Sequence, residues 1–204
     1  ITRQTFVEDP ITTTINAEFE DANIQIPMLA VAYRTPSMKT RDARVLDMIS
    51  TILSGGKSSR MYKKIVDDKK MALEIGAFSY SQEDYGTYII YGLPQTPFNS
   101  KDILKEVDDE IVKLQTELIS KKEIEKLQNQ YENRFVNALA SIDGIADNLA
   151  TYYLLYDDVN LINTENSMYQ SITAEEIREV AKKYLNPNQR VILDYIPTKE
   201  KAQN

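Results

Sequence analysis

The 204-residue chain has no histidine and no cysteine. Without imidazole or thiolate it lacks the side chains that usually hold catalytic zinc, run histidine-based acid/base chemistry, or form disulfides. Any such reactive centre has to be supplied by another domain. No apolar run approaches the roughly 20 residues of a membrane-spanning helix, so no membrane span is expected. A basic surplus is missing too: 24 Lys and Arg face 31 Asp and Glu, a net charge of -7 with an isoelectric point near 4.8. Nucleic-acid binding draws on clustered Lys and Arg that release counterions from phosphate, so this balance argues against a nucleic-acid partner. Absence of cysteine leaves the compartment open, because exported proteins also do without it. The numbering begins at Ile1 with no basic-then-apolar leader, which reads as a segment cut from a longer polypeptide.

What is present suits one globular core, with 42% hydrophobic and 27% charged residues. A single domain over residues 1–204 is expected, with flexible ends at 1–10 and 198–204. Basic residues alternate with acids, as in Lys63, Lys64, Asp67, Asp68, Lys69 and Lys70, the pattern of a solvated helix face.

Ile11 to Phe19 alternates as a half-buried strand, with Ile15, Ala17 and Phe19 on one face. Met28 to Tyr33 is apolar and stopped by Thr35-Pro36, a central strand expected to pair antiparallel with the first. Val45, Leu46, Ile49, Ile52 and Leu53 recur at helical spacing over 41–53, and Gly55-Gly56 closes that helix. Ser58 or Ser59 is expected to cap a second short helix carrying Met61, Tyr62, Ile65 and Val66. Ala72 to Tyr80 and Thr87 to Leu93 then read as a hairpin.

From Asn99 the chain turns helical. Ser120 with Glu123 and Thr173 with Glu176 form capping boxes at two helix starts, and an apolar stripe runs from Ile145 to Tyr156. Pro187 ends the last helix ahead of a strand at Val191 to Ile196. This order, ββααββ, then a helical block and a final strand, predicts an α+β domain: an antiparallel sheet with helices packed on one face.

Chemistry is harder to find. Adjacent acids such as Asp67 and Asp68 point in different directions from a helix and cannot easily share a proton. Gly55-Gly56-Lys57-Ser58-Ser59-Arg60 invites comparison with a phosphate loop, but its glycines are adjacent and follow a helix rather than a strand. A serine nucleophile at Ser58 or Ser59, with Lys57 or Lys64 as base, lacks any supporting motif. The glycines read instead as a sharp turn between helices. Of 13 tyrosines, Tyr131, Tyr152, Tyr153, Tyr156 and Tyr169 fall on predicted helices, where packing or an inter-domain contact is expected.

Taken in order, several signposts resemble one family. They are Tyr33-Arg34-Thr35-Pro36, the Gly55 to Tyr62 turn, Lys121 to Lys126, the Thr173 to Glu176 cap and the closing Lys183 to Pro187. Together they resemble the second, non-catalytic domain of the M16 zinc peptidases, the pitrilysin, insulinase and mitochondrial processing peptidase group. The resemblance implies the LuxS/MPP-like metallohydrolase fold. It also implies a peptide chamber enclosed by two homologous halves, with zinc in the half that bears an inverted His-x-x-Glu-His motif. That motif is absent here, so no cofactor is expected in this chain, and zinc is expected in the partner catalytic domain. Active partners of this kind often supply an arginine and, seven residues on, a tyrosine that hold substrate; those places fall on Val66 and Leu73. Neither donates a side-chain hydrogen bond. The resemblance therefore implies a supporting half that walls the chamber, with Gly55, Gly56, Lys57, Ser58, Ser59 and Arg60 as chamber or docking candidates and a bacterial periplasmic setting favoured. Its expected partners are a homologous zinc-bearing domain and a peptide substrate. The competing expectation is an inactive assembly subunit with no peptidase partner.

Overall fold

The computed structural model describes residues 7–198. Of the ends expected to be flexible, residues 1–6 and 199–204 lie outside the described residues. Glu8, just inside, pairs with Arg34 and donates its backbone N–H to the Tyr85 hydroxyl.

Five strands form one sheet in the order β1-β5-β2-β4-β3: β1 (Ile15–Asp21), β2 (Met28–Pro36), β3 (Ala72–Tyr80), β4 (Tyr85–Pro94) and β5 (Val191–Pro197). Burial alternates along β2 and β4, whereas β1, expected from its alternating sequence to be half-buried, has no buried residue because it lies at the sheet edge. Leu29, Val31 and Tyr33 point into the core, and β4 matches them with Gly92, Ile90 and Tyr88 directly opposite. Side chains of opposite pairs share a face, so one side of the sheet becomes continuously apolar. The other face stays partly open, and its Phe78, Tyr80, Phe19 and Ile15 are exposed.

The expected antiparallel pairing of the first two strands does not form. Strand β5 lies between them, antiparallel to β2 and parallel to β1, so the sheet is mixed and β1 is an edge. The six-residue gap between β1 and β2 permits a hairpin, but β5 makes the better neighbour because Ile192 fills the core position beside Val31.

The helices are α1 (Arg41–Ser54), α2 (Ser100–Thr116), α3 (Lys121–Ala138), α4 (Ile142–Thr151), α5 (Leu161–Gln170) and α6 (Ala174–Tyr184), and α1, α2 and α6 pack on the apolar face. Thr40 caps α1, and Leu46, Ile49 and Leu53 are fully buried on it. The Thr173/Glu176 box forms in full. Only half of the Ser120/Glu123 box forms. The Ser120 hydroxyl accepts from the Glu123 N–H, while the Glu123 carboxylate turns to Arg60.

The expected short α-helix after the glycine turn is instead a π-helical segment, Tyr62–Asp68, and no serine side chain caps it. The Lys69 N–H donates to the Lys64 carbonyl, five residues back, and Lys70 then takes a left-handed φ of 52°. A second π-helical segment, Tyr152–Tyr156, extends α4. Wide turns of this kind are rare and concentrate at functional sites.

Two charge networks fasten the helices to one another and to the sheet. Arg190, at the start of β5, donates to Asp108 of α2 and to the Tyr33 hydroxyl. Lys64 of the π-segment reaches Glu106 and Glu110 of α2 at 3.0 and 3.1 Å.

Candidate functional site

The glycine turn is built by two different demands. At Gly55 the N–H returns to the Thr51 carbonyl at 2.9 Å, and a Cβ there would sit 2.5 Å from that same oxygen. No side chain fits so close to backbone. Gly56 has open space around it but a φ of +101°, a conformation that L-residues with a side chain rarely adopt. Together they reverse the chain within two residues and present Lys57 and Ser58 to solvent.

The turn packs on the first turns of α3. Arg60 donates twice to Glu123, at 2.9 and 2.8 Å, and Lys126 Nζ donates to Ser58 Oγ at 2.8 Å. Between them opens a cleft of about 420 Å³ lined by Thr51, Ser58, Ser59, Arg60, Ser120, Lys122, Glu123, Lys126 and Gln130, among others. Of the six candidates, Ser58, Ser59 and Arg60 line this cleft, while Gly55 and Gly56 shape its approach and Lys57 stands outside it. The α3 contribution was missed from sequence. Its signal is the spacing of Glu123, Lys126, Leu127 and Gln130, three and four residues apart on one helix face.

The arrangement does not supply a nucleophile. Ser59 is buried with no partner for its hydroxyl, and the lysine beside Ser58 is the exposed Lys126. Lys64 is not a base either. Burial pulls its pKa down, but hydrogen bonds to Glu106 and Glu110 more than reverse this and hold it above the ordinary 10.5. A protonated amine cannot accept the serine proton.

Val66 and Leu73 sit on the π-segment and at the start of β3. Val66 packs partly against the core, and Leu73 is 51% exposed beside a bulge in β3. Neither offers a polar atom where the family resemblance implies a substrate clamp.

The helical tyrosines divide. Tyr131 and Tyr169 stack with centroids 4.3 Å apart, and Tyr169 donates to Asp47 at 3.2 Å. Thr51 and Tyr131 share a hydrogen bond, and Arg44 grips Glu165 at 3.0 and 2.8 Å. This polar knot ties α1 to α3 and α5. Burial pushes Tyr169 well above the usual phenol range and Tyr152 up to about 12. Tyr153 departs from the pattern at 64% exposed.

Zinc does not fit this chain. The sequence has no imidazole or thiolate, and among the described residues no group of three His, Cys, Asp or Glu could hold a metal ion. Nor, among the described residues, is any helix long and apolar enough to cross a membrane.

A family model described as the peptidase M16 inactive domain matches residues 3–131. Zinc protease PqqE of Helicobacter pylori is 23% identical over 166 residues, 81% of this chain and 37% of that protein. An uncharacterized zinc protease of Bacillus subtilis, YmxG, is 30% identical over 101 residues, 48% of this chain and 24% of that one. The chain thus spans only a quarter to two-fifths of the length of these relatives. Among solved structures, a Helicobacter pylori protease matches with TM-score 0.85 at 20% identity, over 92% of this chain and 45% of that one. A peptidase M16 inactive domain from Pseudomonas fluorescens matches with TM-score 0.81 at 17% identity, over 100% of this chain and 48% of the other. The inactive-domain model covers well over half of a sequence that folds as that domain folds and lacks zinc ligands, and the chain therefore belongs to the M16 peptidase family as one of its inactive, C-terminal-type domains.

Proposed function

We propose that this chain is the non-catalytic half of an M16 zinc protease. It walls the chamber around a peptide substrate and supports a separate, homologous zinc-bearing domain, in the same polypeptide or in a partner subunit. One observation carries this reading: an inactive-domain match over residues 3–131 in a sequence with neither histidine nor cysteine. Zinc held by the partner would polarise the scissile carbonyl and activate water. The contribution of this chain is geometric, since a rigid wall orients the bound peptide and excludes bulk water.

Within that role the turn Gly55 to Arg60 is the docking or chamber-lining element. Its support is that Arg60 and Ser58 are pinned to α3 while Lys57 stays exposed, so the loop is held in shape and still available. Val66 and Leu73 leave the grip on substrate to the other half.

The test is reconstitution. The purified 204-residue chain should hydrolyse no peptide, with or without added Zn²⁺, and hydrolysis should appear when the zinc-bearing domain of the same protease is present. Tight zinc binding and turnover by the homogeneous chain alone would overturn the proposal. Absence of an inverted zinc motif from both the surrounding reading frame and any co-purifying chain would favour the assembly-subunit reading instead.

A further inference from the structure

We propose that the surface formed by the end of α3, helix α4 and the π-helical turn Tyr152–Tyr156 is where the zinc-bearing half docks, through an apolar strip edged with lysine and arginine. This rests on the function proposed above and names the contact it requires. From Glu132 to Thr151 no residue is buried, although the segment carries Val136 at 58% exposed, Ile142 at 85%, Ile145 at 39% and Leu149 at 37%. Tyr153 and Leu154 continue the patch at 64% and 71% exposed. Ile142, Ile145 and Leu149 fall three and four residues apart, so they form one stripe rather than scattered surface residues. Contiguous apolar stripes of this kind mark interaction sites.

Two features say what covers it. A ten-residue helix is marginal by itself in water, and no residue of α4 is fully buried in this chain, so a partner that covers the stripe would stabilise it. The chain also spans only 37% of PqqE and 24% of YmxG, so these relatives contain ample further polypeptide to supply one. Charge sets the character of the facing surface. Between residues 132 and 160 stand Glu132, Asp143, Asp147, Asp157 and Asp158 against the single base Arg134, which lies over the Tyr131 ring. An apolar strip bordered by acids is complemented by one bordered by Lys and Arg.

Hydrogen exchange on the complete protease, compared with the 204-residue chain alone, tests this. Amides of 142–151 should exchange at least about tenfold more slowly in the complete protease. The double variant Ile142→Asp, Leu154→Asp should abolish that protection and weaken association of the halves, while the isolated chain melts as wild type does. Asp143→Lys with Asp147→Lys should weaken association without removing apolar surface. Equal exchange of 142–151 in an active complete protease would overturn the docking assignment and leave the proposed function standing. Dimerisation of the isolated chain through this stripe, seen in sedimentation and lost in Ile142→Asp, would also overturn it by making a second copy the occupant. Absence of any zinc-bearing half would overturn both.

Discussion

Helices α1 and α4 begin alike and end in opposite surroundings. Thr40 caps α1 by accepting from the Ala43 N–H, and Ser141 caps α4 by accepting from the Gly144 N–H. Both carry apolar residues at helical spacing. Yet ten of the fourteen residues of α1 are buried and none of the ten in α4 is. Local sequence thus specifies that a helix forms and which side of it is apolar, whereas burial depends on what lies opposite. In α1 the sheet lies opposite, whereas among the described residues α4 meets the end of α3 and the π-helical turn that follows it, and its stripe stays exposed. Under the docking proposed above, the uncovered stripe is where this domain meets its partner.

Truncating an apolar side chain should cost most in α1 and least in α4. Leu46 of α1 is fully buried in the core. Leu46→Ala should cost about 2–5 kcal/mol, the transfer of the side chain plus the cavity it leaves. Urea unfolding followed by circular dichroism measures it. A cost below about 1 kcal/mol would mean that the α1 contact is loose and that the contrast with α4 is overstated.

Next in size is the glycine turn at the end of α1. Gly55→Val places a Cβ against the Thr51 carbonyl, and Gly56→Val forces a β-branched residue to a φ of +101°. Each should destabilise by about 1–3 kcal/mol, because strained backbone geometry persists only at such a cost. Wild-type melting of both single variants would show that the turn relaxes freely and is no fixed docking element.

The glycine pair also illustrates what was legible from sequence. Adjacent glycines after a helical period announce a helix end, and the structure puts them at one. The apolar run of β2, the hairpin of β3 and β4 and the helical spacing in α1 were equally readable, because each is a pattern within a short stretch. Pairing over long distance was not readable. Strand β5 enters between β1 and β2 from more than 150 residues away, and nothing local to Ile15–Asp21 specifies a parallel neighbour. The candidate site was half legible for the same reason. The turn was visible, but Glu123 looked like the partner of Ser120 three residues back, whereas the stronger bidentate contact is to Arg60 across 63 residues. The π-helical geometry of Tyr62–Asp68 left no mark either, since an extra residue in a turn does not change the order of apolar positions.

A smaller effect comes from the charges that hold the π-segment to α2. Burial alone would raise the Glu110 carboxyl, but Lys113 and Lys64 more than compensate and hold it below the ordinary 4.5. Glu106 behaves likewise through Lys69 and Lys64. A depressed folded-state value means stability that is present above the unfolded value and lost as pH falls through the folded one. Unfolding midpoints should therefore decline as pH drops below 4.5. Glu110→Gln should lower stability by about 1–2 kcal/mol at neutral pH, and the gap from wild type should close in acid. A gap that stays constant from neutral to acid pH would assign the loss to packing rather than to charge.

The smallest effect is expected on α4. Ile142→Ser changes a side chain that is 85% exposed in this chain. Surface substitutions away from caps and packed sites usually shift stability by no more than about 0.5 kcal/mol, so unfolding of the isolated chain should barely move. The same change beneath a docked partner deletes buried apolar area, worth roughly 25 cal/mol for each Å² lost. Stability of the isolated chain and affinity for the partner should thus separate at Ile142, whereas at Leu46 a loss of fold removes both together. If Ile142→Ser destabilised the isolated chain as Leu46→Ala does, α4 would be packed in solution against part of this same chain, and the stripe would be core rather than interface.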